Sequence, residues 1–229
     1  DRDRFGHGNF RYHAVFLRNF NTRKVEQMRI KRFTGGSLMS NGYIISSRDK
    51  GICYIIDPGY EPKKFTGYVK EQELIPAAVL LTHHHHDHVG GAAKVADILD
   101  IPVMMSFEDS LMYKGKVDSY LQDGQMLDLD GQPLMIRLTP GHTKGSLCIE
   151  APQSRVVFTG DTIFDTDLGR TDLVGGSPED MVRSCAEVID RWPDAYTIYP
   201  GHDEKAAMST VRKVNAEFLQ CLEEYSKWK

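Results

Sequence analysis

The segment LLTHHHHDHVGG, residues 80–91, constrains this chain more than any other. The apolar stretch AAVLL leads into it, and GGAAKVADILD, a helix-like segment, follows. An affinity tag sits at a terminus, whereas this run lies between a core strand and a helix. Successive residues of a strand alternate faces, so four consecutive histidines cannot all reach one point. If alternate members converge, His83 and His85 share a side, and Asp87 and His88 follow as the loop turns into a helix. The pattern is then H-x-H-x-D-H, with His84 and His86 facing solvent or standing behind the ligands. Imidazole and carboxylate together suit zinc, iron or manganese.

Four such groups within six residues are too crowded for one tetrahedral ion, and they divide naturally between two. Each ion then needs further ligands. Candidates are His142 in TPGHTKGS, Asp161 in FTGD and His202 in YPGH, each at a strand end beside glycine. Glycine allows a sharp turn and a close approach of the backbone to the site. Taken singly, a histidine after Pro-Gly is ordinarily a loop residue, and an aspartate after a strand is a turn or cap residue. Taken together with H-x-H-x-D-H, the seven groups suit two metals and a bridging water, with one carboxylate shared.

The rest of the chain fits a soluble enzyme. Its 229 residues suffice for one domain with a proper core. A net charge of −4 gives no reason to expect nucleic acid or an anionic membrane as partner. No apolar run has the length of a membrane span, and residues 1–27 contain no secretory apolar core, so a cytoplasmic location is expected. Cys53, Cys148, Cys185 and Cys221 are far apart, without C-x-x-C, and read as free, mostly buried thiols. Residues 1–27, rich in Arg and Asn, lack a clear period. They read either as an extension before a start at Met28 or as an arm packed on the domain.

From Met28 onward strands and helices alternate. MRIKRF, NGYIIS, GICYIID, PAAVLL, IPVMMS, LMIRLTPG, SLCIEAP, RVVFTGD and AYTIYPGH read as strands. PKKFTGYVKEQEL and SPEDMVRSCAEVIDRW read as helices, the second capped by Ser177 and opened by Pro178. The tail from about Lys205 is helical in composition. Two similar halves without a linker favour one domain of mixed sheets packed between helices.

Asp57 in IIDPG, THHHHDH, His142, Asp161 and His202 together resemble the signature of the metallo-β-lactamase superfamily, from about Met28 to the C-terminus. GDTIFDTDLGRTDLVGGSPEDM and YPGHDEKAAMSTVRKVNAEF are most similar to its short bacterial glyoxalase II-like (hydroxyacylglutathione hydrolase-like) members. The resemblance implies an α+β fold, a single-domain four-layer αββα sandwich over residues 28–229, with the site at one edge between the sheets. It implies two divalent ions, zinc before iron or manganese. One is held by His83, His85 and His142, the other by Asp87, His88 and His202, and Asp161 bridges them. Asp57 is implied to orient a ligating histidine; the alternative is a turn residue before Pro58-Gly59.

The implied activity is hydrolysis of a thioester or ester of S-acylglutathione type. A metal-bridging hydroxide attacks the carbonyl, with Asp87 and Asp161 as the carboxylates of the catalytic centre. No G-x-S-x-G nucleophile elbow is present, in agreement with that chemistry. Full-length glyoxalase II enzymes carry a C-terminal helical glutathione-binding domain, and the 27 residues after His202 (229 − 202) leave no room for one. Arg170 in GRTD either binds a substrate carboxylate or braces its loop through Asp172 or Asp167. Lys205, Arg212 and Lys213 read as a solvated helix face. The rival functions are a mononuclear iron persulfide dioxygenase, using His83, His142 and Asp161, and an acyl-homoserine lactonase.

Overall fold

The computed structural model describes residues 28–228, and the expectation of an N-terminal extension over residues 1–27 lies outside them. One sheet contains β1 (Arg29–Gly35), β2 (Ser40–Ser46), β3 (Ile52–Ile56), β4 (Ile75–Leu80), β5 (Val103–Ser106) and β6 (Ser119–Leu121), side by side in that order. The other contains β7 (Met126–Leu129), β8 (Gln132–Leu138), β9 (Leu147–Ala151), β10 (Val156–Gly160), β11 (Thr197–Pro200) and β12 (Ala206–Ala207), again in chain order. The helices are α1 (Pro62–Glu71), α2 (His86–Val89), α3 (Ala92–Leu99), α4 (Phe107–Ser110), α5 (Pro178–Glu187), α6 (Met208–Val214) and α7 (Ala216–Ser226).

The central strands are apolar throughout because both of their faces are covered. Tyr43 and Ile45 of β2 and Tyr54 and Ile56 of β3 point between the sheets, against Ile136, Ile149 and Phe158. Their neighbours Ile44, Cys53 and Ile55 turn the other way and meet Phe65 and Val69 of α1 and Val95 of α3. In the second sheet, Cys148, Val157 and Ile198 face outward against Met181 and Cys185 of α5, Val211 of α6 and Phe218 of α7. The period of two thus produces four layers, αββα, as the sequence implies.

Strand direction gathers the candidate residues. β3 runs parallel to β4, and β10 parallel to β11. β8 pairs antiparallel with β9, and β9 with β10, so β8 points the same way as β10. Asp57, the histidine run, His142, Asp161 and His202 all follow the C-terminal ends of these strands. The two sheets are tied together there: Asn41 N donates to Gly201 O at 2.6 Å, Tyr43 Oη to Pro200 O at 2.6 Å, and Leu147 N to Thr82 O at 2.9 Å.

Ser177 Oγ accepts from Asp180 N at 3.1 Å, the cap expected for α5. The tail is helical, as its composition suggests, and is divided into two helices. Asn215 divides α6 from α7, capping Phe218 N at 2.9 Å while its Nδ2 donates to Asp167 O at 2.8 Å. Composition does not reveal such a break, because it depends on a buried side-chain amide. Arg212 lies away from the candidate site; its Nε meets Asp194 Oδ1 at 2.9 Å and it also pairs with Asp190. All four cysteines are free thiols, three of them buried. Among the described residues, no helix is long and apolar enough to cross a membrane.

Candidate metal centre

β4 enters the site through Leu81 and Thr82, and the chain then leaves the sheet as an extended loop and short helix. His83 is buried beside the end of the sheet; His85 precedes α2, whose first turn carries Asp87 and His88, both buried. His142 sits in the loop between β8 and β9, Asp161 directly after β10 and His202 directly after β11. Glycine makes the approach possible. A Cβ on Gly201 would collide with Asp161 Oδ1 and the His88 ring, and one on Gly59 with the carbonyl of Asp87.

The ring nitrogens divide into an outward and an inward set. His142 Nδ1 donates to Arg170 O at 2.8 Å, and His202 Nδ1 to Leu38 O at 3.1 Å. A carbonyl only accepts, so each Nδ1 carries a proton and each Nε2 faces inward. His83 Nδ1 lies 3.0 Å from Thr82 Oγ1, and His88 Nδ1 lies 3.3 Å from Asp57 Oδ2. His85 is reversed, with Nδ1 turned inward 2.9 Å from His142 Nε2.

The inward atoms form two neighbouring groups. In each of His83/His85/His142 and Asp87/His88/His202, one nitrogen or oxygen per residue lies within 4.8 Å of the others. Asp161 stands between them. Its Oδ2 is 3.8 Å from His83 Nε2, 3.6 Å from His142 Nε2 and 3.4 Å from His202 Nε2, and its Oδ1 is 3.3 Å from His88 Nε2. A third grouping, Asp57/His83/His88, is also within 4.8 Å. There, however, Asp57 is already engaged, accepting from Thr82 N at 2.8 Å and Thr82 Oγ1 at 2.6 Å.

His83 Nε2, Asp87 Oδ2, His88 Nδ1 and Asp161 Oδ1 are buried without a hydrogen-bond partner. Asp87 Oδ2 is within 3.2 Å of both His88 Nε2 and His202 Nε2, in ion-pair reach but out of line for a hydrogen bond. Leaving one buried polar atom unpaired costs about 1–3 kcal/mol. His88 Nδ1 faces Asp57, but the other three converge at one place, and all are N or O of types that ligate zinc and iron, which fits bound divalent metal.

Charge is unequally spread. Burial keeps His83 and His142 below the usual imidazole range and lowers His85 to about 4. His202 is pushed up to about 9, first by its contact with Asp161 and then by Asp87. Burial opposes protonation of His88, but Asp161, Asp57 and Asp87 outweigh it and the net shift is upward. Burial likewise works against ionisation of Asp87 and Asp161, yet the neighbouring histidines hold both carboxyls well below their usual range.

All seven candidate ligands and Asp57 therefore come together. Arg170 does not point its charge at them: its guanidinium makes two bonds to Asp172, at 2.7 and 2.8 Å, and only its backbone carbonyl touches His142. Of the two intervening histidines, His86 is exposed, while His84 is partly buried against Asp109. Several partners were not foreseen from the sequence. Thr82 bonds Asp57 and His83, Ser40 Oγ donates to Asp87 O at 2.7 Å, and Asp109 holds His84. Thr82 and Asp57 are 25 residues apart and Ser40 and Asp87 are 47 apart, so no local pattern links them.

Comparison with known proteins agrees with this geometry. The chain is 32% identical over 205 residues to the probable metallo-hydrolase YqgX of Bacillus subtilis, covering 82% of this chain and 96% of that one. It is 30% identical over 185 residues to the hydroxyacylglutathione hydrolase GloC of Haemophilus influenzae, covering 73% and 87%. The crystal structure of TTHA1623 in a di-iron-bound form superposes with a TM-score of 0.73 at 28% identity, covering 81% and 98%. The sequence profile of the metallo-beta-lactamase superfamily matches residues 35–214, the span that holds both sheets' ligand-bearing ends, and the chain belongs to that superfamily.

Proposed function

We propose that this protein is a dinuclear metal-dependent hydrolase that cleaves a thioester or ester, with S-acylglutathione-type compounds as the substrate class. The observation that carries the reading is the inward convergence of two donor groups on either side of Asp161, with His83 Nε2, Asp87 Oδ2 and Asp161 Oδ1 buried there without a partner. In this reading His83, His85 and His142 hold one ion, Asp87, His88 and His202 hold the other, and Asp161 is shared. Bound there, a pair of divalent ions supplies Lewis acidity to a water and to a carbonyl oxygen.

The protein's own groups do the rest. The carbonyls of Arg170 and Leu38 fix the tautomers of His142 and His202, leaving each Nε2 directed inward. Asp57, anchored by Thr82, steadies His88 from behind. Asp87 and Asp161 stay ionised at neutral pH and offset the charge of the cations. Phe164 lies beside His202, with 6.2 Å between ring centroids. The likeness to the Haemophilus hydroxyacylglutathione hydrolase supports a thioester, and the di-iron form of TTHA1623 supports two ions.

A second reading, a mononuclear iron persulfide dioxygenase, is favoured by one subset: His83, His142 and Asp161 lie together as two imidazoles and a carboxylate. Elemental analysis of protein made without added metal separates the two. About two ions per chain, with release of free thiol from an S-acylglutathione, is the expected result. About one iron per chain, with oxygen uptake on glutathione persulfide and no thioester cleavage, overturns it.

A further inference from the structure

Asp109 is 1% exposed, and its carboxylate binds two loops that belong to different sheets. Oδ2 accepts from His84 N at 2.8 Å, lies 3.0 Å from His84 Nδ1, and accepts from Thr143 Oγ1 at 2.8 Å. Oδ1 accepts from Gly145 N at 2.7 Å. The contact is built for closeness: a Cβ on Gly145 would collide with Ser106 Oγ and Asp109 itself. Burying a carboxylate is unfavourable unless its lone pairs are filled, and here four donor groups fill them.

The placement of those donors matters. His84 lies between His83 and His85, and it is held at both its backbone and its ring, which fixes where its two neighbours point. Thr143 follows His142 directly, and Gly145 ends the same loop. One carboxylate thus ties together the two chain segments that carry His83, His85 and His142, whose closest approach is 2.9 Å between His85 Nδ1 and His142 Nε2. The other half of the cluster is braced separately, through Ser40 on Asp87, Leu38 on His202 and Asp57 near His88.

We propose that Asp109 is a positioning residue for one half of the centre, clamping the loops at residues 82–85 and 142–145 so that His83, His85 and His142 converge on a single cation. The proposal rests on the dinuclear reading above. It predicts a selective defect: loss of Asp109 weakens one metal equivalent and spares the other.

The test is Co2+ titration of the metal-stripped full chain, read by visible absorption and by competition with a chelator. It compares the unaltered protein with Asp109→Asn, and repeats the substitution in His202→Ala and His85→Ala backgrounds, each of which leaves one half intact. Asp130→Asn is the control, because Asp130 also bonds a segment distant in sequence, accepting from Ser47 Oγ at 2.6 Å and Ile52 N at 2.9 Å at the β2–β3 turn, but does not touch the cluster. Asp109→Asn is expected to weaken binding about 10–100-fold in the His202→Ala background and less than about threefold in the His85→Ala background. Asp130→Asn should change neither. An equal effect in both backgrounds means a general loss of structure, and no effect in either means no role; both overturn the proposal. If Asp109→Asn does not fold, Thr143→Val removes one donor at nearly constant shape. It is then expected to show the same selectivity at about three- to tenfold, and its absence overturns the proposal equally. Failure of the unaltered protein to bind two Co2+ ions would sink the dinuclear reading itself, whereas two ions with unaltered selectivity in Asp109→Asn would sink only the role of Asp109.

Discussion

The two halves of the centre are built from similar residues but prepared differently. His83, His85 and His142 have no carboxylate of their own, and burial keeps their imidazoles neutral. His88 and His202 share their half with Asp87, adjoin Asp161, and hold protons well above the ordinary imidazole range. One half offers lone pairs that are free at neutral pH, while the other holds protons that an incoming cation must displace. Asp161 belongs to both, and is the sharpest point at which to break the comparison. Asp161→Asn is expected to lower kcat/KM for thioester cleavage by about 1,000-fold or more, equivalent to roughly 4 kcal/mol of transition-state stabilisation. In the metal-free variant the His202 ring should titrate nearer its ordinary value, as read by NMR, since Asp161 is the first cause of its upward shift. Activity within tenfold of the unaltered protein would remove Asp161 from the centre.

The next test sharpens the contrast through metal uptake. Below pH 9 a cation binding beside His202 and His88 competes with their protons, so affinity should rise by up to about tenfold per pH unit for each proton displaced. The half containing His83, His85 and His142 has no such competitor between pH 6.5 and 8.5 and should change less than about threefold. Zn2+ affinities of His85→Ala and His202→Ala proteins, measured across that range with a competing chelator, decide the matter. Equal slopes would mean that the halves are not differently protonated.

Much of this was legible in the sequence, and the reason is chemical. Period-two apolar strands placed the sheets, and H-x-H-x-D-H with His142, Asp161 and His202 marked the cluster, because few residue types carry metal chemistry and each stood beside a strand end. What escaped notice acts at a distance. Asp109 reaches Gly145 across 36 residues and Ser40 reaches Asp87 across 47, as ordinary polar residues with no local signal. β6 and β7 were missed because they are short and partly exposed, without a clean alternation. Arg170 remained undecided from the sequence since binding a substrate carboxylate and binding Asp172 require the same guanidinium.

The metal-free protein should also show the difference between the halves in its stability. His202 has a folded-state pKa of about 9, above its ordinary value, so its contribution is complete below about pH 6.5 and is lost as pH rises through 9. His83, His85 and His142 shift the other way, so their contribution is complete above about pH 6.5 and is lost as pH falls toward 4. Urea unfolding of metal-stripped protein is therefore expected to show greatest stability near pH 6.5, falling on both sides by on the order of 2 kcal/mol. His202→Ala should make the alkaline side shallower, leaving the part due to His88, and leave the acid side unchanged. A flat profile, or one limb only, would show that one half does not titrate as its surroundings dictate.

The smallest expected effect concerns Arg170, which borders the half that includes His142. Its backbone carbonyl orients that ring, while its guanidinium is spent on Asp172 at the surface. Exposed ion pairs of this kind contribute little. Arg170→Ala keeps the carbonyl and removes the charge, so metal content should be unchanged and KM for an S-acylglutathione should move less than about threefold. A tenfold rise in KM at constant kcat would mean that substrate draws the guanidinium away from Asp172 and that the side chain reads a carboxylate after all. A loss of one metal equivalent would mean instead that the Arg170–Asp172 pair holds the carbonyl in place, and that the half without carboxylates depends on its loop as well as on its histidines.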